Sequence, residues 1–438
     1  MKLLNYQQAF GAWDKTTEPM REAIDKWFSL YYSTDVTDKA DPCQRIPYTV
    51  VNKVVKAVFG EYSAGVSDPF YAALLKKLDS HRREALELAL VGGECYLKPC
   101  PEEEGFSFTV IPRNNVLIFA RNGAGEITDV GMVEKTVHDR YYYTLLERRT
   151  LDGSGCLTLQ NRLFRSLNAQ TLGTQVGLGT VDAYRELPEQ YTYPEPLHSV
   201  GLVRVKTPML NCVDGSLDGV SIYAAAVGLI ENINRNEAQL CGEFDRGESR
   251  IITSRDLLDR DGSLSEHLFL GLDDDPEQVG FHIFSPQLRE KSFLERKQEY
   301  LRNVESMIGL KRGMLADVNL ALRTATEIAA SEAEYNLTVI DFQRMWQSAL
   351  EQVLQLCSKL AAIYGLSRSE PPVLQVDWGN GVLYDEDKLW QQYLEMVNQG
   401  MLAPEVALGW RFNMPAETRQ QRDAIRGKYM PAAAENLP

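Results

Sequence analysis

The sequence lacks a long hydrophobic run. The longest uncharged apolar stretch, residues 219–230, has 12 residues, whereas a helix needs roughly 18–20 to cross a bilayer. Near the N-terminus, Trp13, Asp14, Lys15 and Glu18 interrupt any apolar segment, which argues against a secretory signal peptide. We therefore expect a protein with no membrane contact.

Cysteines are few and scattered. The seven are odd in number, with no regular spacing, so they favour reduced thiols of a cytoplasmic setting over a disulfide framework. We expect most of them to be small buried side chains, because free cysteine is often buried. The seven positions are Cys43, Cys95, Cys100, Cys156, Cys212, Cys241 and Cys357.

Positive charge is in deficit. The chain has 46 Lys and Arg against 61 Asp and Glu, a net charge of −15. A protein that coats nucleic acid needs a basic face to neutralise phosphates, so the balance argues against that class. It does not exclude a protein that lets nucleic acid pass without sticking.

Catalytic and ligand-binding motifs are also missing. The only Gly-Lys pair, Gly427-Lys428, lacks the spacing of a phosphate-binding loop, and no His-Glu-x-x-His or Gly-x-Ser-x-Gly string occurs. Asp259-Arg-Asp261-Gly262 resembles part of a calcium loop, but Leu257 and Leu268 stand where such a loop needs oxygen ligands. We therefore expect no enzyme, no metal site and no cofactor.

The remaining composition is that of a globular protein, with 44% hydrophobic and 24% charged residues. Residues 1–92 read as helical, and the stretch from Ile46 to Phe59 has its valines at helical spacing. From Glu94 to Met209, short runs of β-forming residues alternate with turn signals. These patterns predict an α+β, mainly helical fold with a β-rich domain, either an antiparallel sheet or a partial barrel.

The middle of the chain predicts two helices around an insert. Residues 219–246 carry one apolar stripe, and a second helix is expected to begin at Ser285-Pro286 and to end at Gly309. The insert between them, residues 248–284, is acidic: eight carboxylates face two arginines between Thr253 and Gly280. Its charge and position suggest a projection available to partners.

A third helix is the strongest pattern in the sequence. Thr324-Ala-Thr-Glu327 has the spacing of a capping box, and 41 residues up to Tyr364 contain neither Gly nor Pro. Such a helix spans about 61 Å and should end at Gly365. Helices this long need neighbours along their length, which are either one another or copies in adjacent subunits.

These features together resemble the portal proteins of tailed bacteriophages, particularly those of siphophages and myophages of Gram-positive hosts. The local signature is Ile308-Gly309-Leu310, then Gly313, then Thr324-Ala-Thr-Glu-Ile328. A second similarity is Asp377-Trp378 with Asp385, followed by Asn398-Gln-Gly-Met401. The order of helical segment, β-domain, helix, insert, helix, loop and very long helix extends the resemblance over nearly the whole chain.

The resemblance implies a portal fold with wing, stem, clip and crown regions, assembled as a ring of about twelve subunits. Its implied boundaries are wing 1–210, first stem helix 211–247, clip 248–284, second stem helix 285–309, tunnel loop 310–323, long wing helix 324–365, and crown with C-terminal tail 366–438.

The implied function is a channel at one capsid vertex through which double-stranded DNA is packaged and ejected. The implied partners are the terminase large subunit, the head–tail adaptor, and the major capsid protein with its scaffold. The protein would be assembled in the host cytoplasm and reside in the virion. One departure from relatives is that Lys311-Arg312 opens the tunnel loop, where Ser, Thr, aromatic or acidic residues are common.

Three groups of candidate residues follow. The tunnel-loop candidates for DNA contact are Lys311, Arg312, Asn319 and Arg323; alternatively, Arg323 pairs with a neighbouring acid and the other two cations face solvent. The clip candidates for partner docking are Asp256, Asp259, Asp261, Glu266, Asp273, Asp274, Asp275 and Glu277, unless they only keep the loop soluble. The candidates for subunit packing are Ile230, Ile233, Leu240, Tyr300, Val304 and Met307.

Two other classes remain open on the sequence alone. A non-viral helical scaffold or adaptor would have no DNA channel and would be a monomer or dimer in solution. An enzyme with a dispersed site would have a deep pocket with convergent polar groups in one subunit.

Overall fold

The computed structural model describes residues 6–33, 43–247, 250–254, 269–272, 281–284, 287–317, 325–366, 370–379, 386–412 and 414–430. The chain divides into two compact units. The first comprises residues 1–58 and 64–376, and the second comprises residues 59–63 and 377–438.

The first unit begins with helices, as predicted. They are α1 (Gln7–Phe10), α2 (Glu18–Tyr32), α3 (Ile46–Val58), α4 (Pro69–Asp79) and α5 (Arg82–Gly92). The helix predicted from Ile46 is confirmed with Pro47 in its first turn, where a missing N–H costs nothing. Its valines at helical spacing are buried.

The predicted β-rich domain is confirmed. Its strands are β2 (Glu94–Glu102), β3 (Gly105–Pro112), β4 (Val116–Arg121), β5 (Ile127–His138), β6 (Tyr141–Leu151), β7 (Leu157–Ser166), β8 (Thr174–Val176), β9 (Gln190–Thr192) and β10 (Val203–Lys206). One antiparallel sheet has the order β10-β2-β3, and a larger one runs β4-β5-β6-β7-β8 with β9 also paired to β7. Very short strands β1 (Ser63–Gly65) and β14 (Gln375–Asp377) lie near the unit boundaries along the chain.

The first long helix begins later than predicted. Helix α6 comprises Val227–Arg246, not residues 219–246, so the predicted start was wrong. The Ser221 hydroxyl and the Ile222 amide both donate to the Leu90 carbonyl, at 3.0 and 2.9 Å. These contacts hold the segment against the end of α5 in a non-helical conformation, which helical spacing could not reveal.

The second long helix also begins late. Helix α7 comprises Glu290–Ile308; residues 287–289 are not helical, and Ser285 and Pro286 lie outside the described residues. Arg289 forms a bidentate pair with Glu243 near the end of α6, which fixes the approach to the helix. The predicted end is confirmed, because Gly309 adopts a left-handed φ of 74°.

Helices α6 and α7 pack as an antiparallel pair. Asn236 donates to the Phe293 carbonyl at 3.0 Å, and Lys297 pairs with Glu237 at 2.8 Å. Between the two helices in the chain lie the strands β11 (Arg250–Ser254), β12 (Phe269–Leu272) and β13 (Phe281–Phe284). Strand β11 is parallel to β12 and antiparallel to β13, so the predicted insert contains a small mixed sheet.

The predicted third helix is confirmed as α8 (Ala325–Tyr364), with 40 residues. Gly365 follows in the left-handed region. The capping threonine, Thr324, lies outside the described residues. Its apolar side chains between Val339 and Ala361 are mostly buried, but Tyr364 is 41% exposed, and its hydroxyl reaches the Tyr193 hydroxyl at 3.1 Å.

The second unit contains helices α9 (Glu386–Asn398), α10 (Pro404–Arg411) and α11 (Arg419–Tyr429). Thr418 and Gln421 form a complete capping box at the start of helix α11. Its single fully buried side chain within the described residues is Ile425.

All seven cysteines are free thiols, as predicted. Cys95 and Cys357 are buried, in agreement with a packing role. Cys43, Cys100 and Cys156 are half-buried, and Cys212 and Cys241 are exposed, so the expectation that most cysteines are buried is wrong.

Candidate functional site

The region that follows α7 begins with a tight reversal. After Gly309, the Leu310 amide donates to the main-chain carbonyl of Glu305 at 2.9 Å. Gly313 has a φ of 92°, a conformation that favours glycine because it has no Cβ. Residues 310–317, the described part of the predicted tunnel loop, are therefore folded onto the last turns of α7.

A buried carboxylate lies at the centre of this loop. Glu305 has no exposed surface, and its Oε1 accepts hydrogen bonds from the amides of Gly313 at 3.1 Å, Leu315 at 2.5 Å and Ala316 at 2.9 Å. Its Oε2 also accepts from Gly313 at 3.2 Å. Sequence reasoning missed Glu305, although its position four residues after buried Leu301 places it on the buried stripe of α7.

A second pair of hydrogen bonds attaches the end of this loop to α7. The Asp317 amide donates to Gln298 Oε1 at 2.8 Å, and Gln298 Nε2 donates to the Asp317 carboxylate at 2.9 Å. Of the predicted tunnel-loop residues, Lys311 is half-buried and Arg312 is exposed. Asn319 and Arg323 lie outside the described residues.

The eight clip candidates lie outside the described residues. All eight predicted carboxylates fall within residues 255–268 or 273–280, outside the described residues. The backbone on either side of them forms β11, β12 and β13.

The predicted subunit-packing residues divide into two groups. Ile230, Ile233, Leu240 and Val304 are already buried within one chain. Met307 is 53% exposed, and Tyr300 is half-buried with its hydroxyl accepting from Arg296 at 2.9 Å. Among the six candidates, Met307 and Tyr300 are thus the two that keep exposed surface.

The approach to α6 is anchored by buried charges that the sequence did not reveal. Glu94 Oε1 lies 2.8 Å from Arg113 Nε, and both side chains have no exposed surface. Glu94 Oε2 accepts from Arg204 Nε at 2.8 Å and from the Gly219 amide at 3.1 Å. Burial alone would raise the pKa of Glu94, but the charges of Arg204 and Arg113 outweigh it and lower that pKa to about 2.

A cleft with a volume of about 620 Å³ lies between α8 and the β-rich domain. Its lysines are occupied by main-chain carbonyls: Lys206 donates to Leu217 at 2.9 Å, and Lys359 donates to Leu197 at 3.2 Å. Within the described residues, no three His, Cys, Asp or Glu side chains are grouped to hold a metal ion. None of the described helices has an apolar stretch long enough to span a bilayer.

The family model "Phage portal protein, SPP1 Gp6-like" matches residues 72–424, about four-fifths of the sequence. None of the curated proteins compared with the chain matches it.

Two solved structures are similar at low identity. The neck of a native GTA particle with C12 symmetry is 14% identical, with a TM-score of 0.48, covering 94% of this chain and 98% of that chain. The neck of an empty GTA particle with C6 symmetry is also 14% identical, with a TM-score of 0.46 and the same coverage of both chains.

Proposed function

This chain belongs to the SPP1 Gp6-like family of phage portal proteins, and we propose that it forms the ring of about twelve subunits at one capsid vertex through which double-stranded DNA is packaged and ejected. The observation that carries the proposal is the family match over residues 72–424. That range contains the antiparallel helix pair, the insert, the folded loop and the 40-residue helix. The family is one of structural proteins of the phage particle.

The charge balance is compatible with a conduit. At −15 per chain, a ring of many copies repels duplex phosphates over most of its surface. Tight phosphate contacts would add salt-dependent binding, which would slow the movement of DNA. Any attraction is therefore expected to be confined to a few basic side chains.

We place those contacts at the tunnel loop. Lys311 and Arg312 lie in the folded segment between α7 and α8, with Arg312 exposed, and Arg323 precedes α8 in the chain. Weak, transient contacts from these cations, with Asn319 beside them, would guide the duplex without holding it. The rival interpretation is that Arg323 pairs with an acid of a neighbouring subunit while Lys311 and Arg312 face solvent.

The test is a triple variant, Lys311→Ala, Arg312→Ala and Arg323→Ala. We expect rings of normal size but reduced genome packaging or retention in infected cells, measured as DNA-filled particles. A matched control removes two exposed lysines of helices α3 and α4, Lys56→Ala and Lys76→Ala, and should package normally. Normal packaging by the triple variant would remove the loop cations from the proposal.

We further propose that the clip docks the terminase large subunit first and the head–tail adaptor later. The acidic segments flanking β12 would steer basic faces of these partners by long-range attraction. The association rate should then fall as ionic strength rises, because salt screens exposed charges. A rate that is independent of salt would contradict this role.

Ring closure requires a heterologous contact, in which two different faces of adjacent copies meet. Because most of the predicted packing residues are buried within the chain, we assign the inter-subunit contact to the exposed side of α7 around Met307 and Tyr300. The major capsid protein and its scaffold would contact the outside of the ring. No cofactor is required by this function.

A further inference from the structure

We propose that Glu305 is a positioning residue that folds the first half of the tunnel loop before any ring or DNA is present. Its carboxylate gathers the amides of Gly313, Leu315 and Ala316. The loop cations Lys311 and Arg312 lie between this anchor and the end of α7. The functional part of the inference rests on the proposed portal function; the anchor itself does not.

The chemistry of the site favours a carboxylate. Glu305 lies in the last turn of α7, where the helix dipole disfavours negative charge, and it is completely buried. Among the ion pairs of the described residues, none gives Glu305 a cationic partner. Convergent main-chain N–H groups are what makes such a buried anion tolerable, as in the anion-binding concavities called nests. The three amides therefore stabilise the charge, and the charge orders the amides.

The same arrangement accounts for the two glycines of the loop, Gly309 and Gly313. Gly309 reverses the chain with a φ of 74°, and Gly313 turns it again with a φ of 92°. The second turn aims the Gly313 amide at the carboxylate. Glu305, Gly309 and Gly313 thus form one spacing, Glu-x-x-x-Gly-x-x-x-Gly, which accounts physically for both glycines of the loop.

Lys311 and Arg312 are fixed at both ends by this arrangement. Before them, the Leu310 amide is bound to the Glu305 carbonyl; after them, the Gly313 amide is bound to the Glu305 carboxylate. The same residue therefore holds both ends of a four-residue arch through its main chain and its side chain. The Gln298–Asp317 pair continues the attachment to α7.

The test is amide hydrogen exchange, measured at single-residue resolution on the full chain. In the wild type, the amides of Gly313, Leu315 and Ala316 should be protected. Glu305→Ala should speed their exchange by about tenfold or more, as expected for losing a charge-assisted hydrogen bond. Glu305→Gln keeps one acceptor oxygen and should give an intermediate rate.

The matched control is Glu299→Gln, which removes an exposed carboxylate of the same helix that contacts Arg302 and not the loop. It should leave the three amides protected. The buried part of α8 around Val353 serves as an internal reference, so that a variant that fails to fold is recognised. Wild-type amides that exchange like an unstructured peptide, or full protection in Glu305→Ala, would overturn the anchor.

A second readout separates the anchor from its role in the channel. If Glu305 positions the loop cations, Glu305→Gln rings should lose packaging or retention in the same direction as the triple loop variant. A loosened loop with normal packaging would overturn the positioning role. A chain that forms no rings would instead refute the proposed function, while the exchange result would still stand.

Discussion

Replacing Glu94 by Gln should strongly destabilise the first unit. The carboxylate of Glu94, on β2, pairs with Arg113 and with Arg204 of β10. It also accepts a hydrogen bond from the Gly219 amide, which precedes α6 in the chain. The substitution preserves shape but removes the negative charge. The guanidinium of Arg113, with no exposed surface, would then lose its closest counter-charge.

The magnitude can be estimated in two ways. The pKa of Glu94 falls from 4.5 to about 2, and each pKa unit corresponds to ~1.4 kcal/mol, which gives about 3 kcal/mol. Breaking a buried ion pair by removing one partner typically costs about 3–5 kcal/mol. The two estimates agree, so we expect a loss of about 3–5 kcal/mol in the free energy of unfolding at pH 7.

The pH dependence gives a second signature. Because the pKa of Glu94 is lower in the folded state, its stabilisation is present above the unfolded value of about 4.5 and is lost as the pH falls towards about 2. The difference between the wild type and Glu94→Gln should therefore shrink over this range. At pH near 2, the wild-type carboxyl becomes neutral and resembles the amide.

The assay is denaturant unfolding at a fixed protein concentration, since oligomerisation also affects apparent stability. Glu102→Gln is the matched control, because it lies on the same strand and its carboxylate pairs with Lys77 at the surface. We expect little change in the control, since exposed pairs stabilise weakly. A Glu94→Gln effect no larger than the control, or one that is the same at pH 3 and pH 7, would refute the reasoning.

Further predictions concern packing, pH and assembly. Gly93→Ala should lower the melting temperature, because its Cβ would lie 2.3 Å from the Gly219 carbonyl and its φ is 82°, whereas Gly123→Ala has open space and should melt like the wild type. Burial raises the pKa of Glu147, but the charges of Arg149 and Lys98 outweigh it and lower that pKa to about 2. Glu147→Gln should therefore reduce the free energy of unfolding at pH 7, and its stability should fall less than that of the wild type between about pH 4.5 and 2. Met307→Ser should weaken ring formation, measured by light scattering, without lowering the unfolding midpoint of the isolated chain; normal rings would contradict the proposed contact.

Local periodicity predicted the elements that depend on one stretch of sequence. The helix of Ile46–Val58, the antiparallel strands and the 40-residue helix were all foreseen, because their apolar spacing reports directly on which face is buried. The predicted start of α6 was wrong, because hydrogen bonds from Ser221 and Ile222 to Leu90, more than 100 residues earlier, hold the segment before Val227 out of the helix.

The buried charges could not be predicted in the same way. Glu94 and Arg204 are brought together only by strand pairing, and charged residues in a sequence are most often exposed. Glu305 is an intermediate case. Its place on the apolar stripe of α7 signalled burial, but the amides that make burial tolerable come from a loop whose conformation depends on Gly313.

The most direct measurement is electron microscopy of the purified full-length protein. The account predicts closed rings of about twelve copies around a central hole wide enough for duplex DNA, with the acidic insert at one end. A preparation of monomers or dimers without a hole, under conditions where the chain is folded, would contradict it.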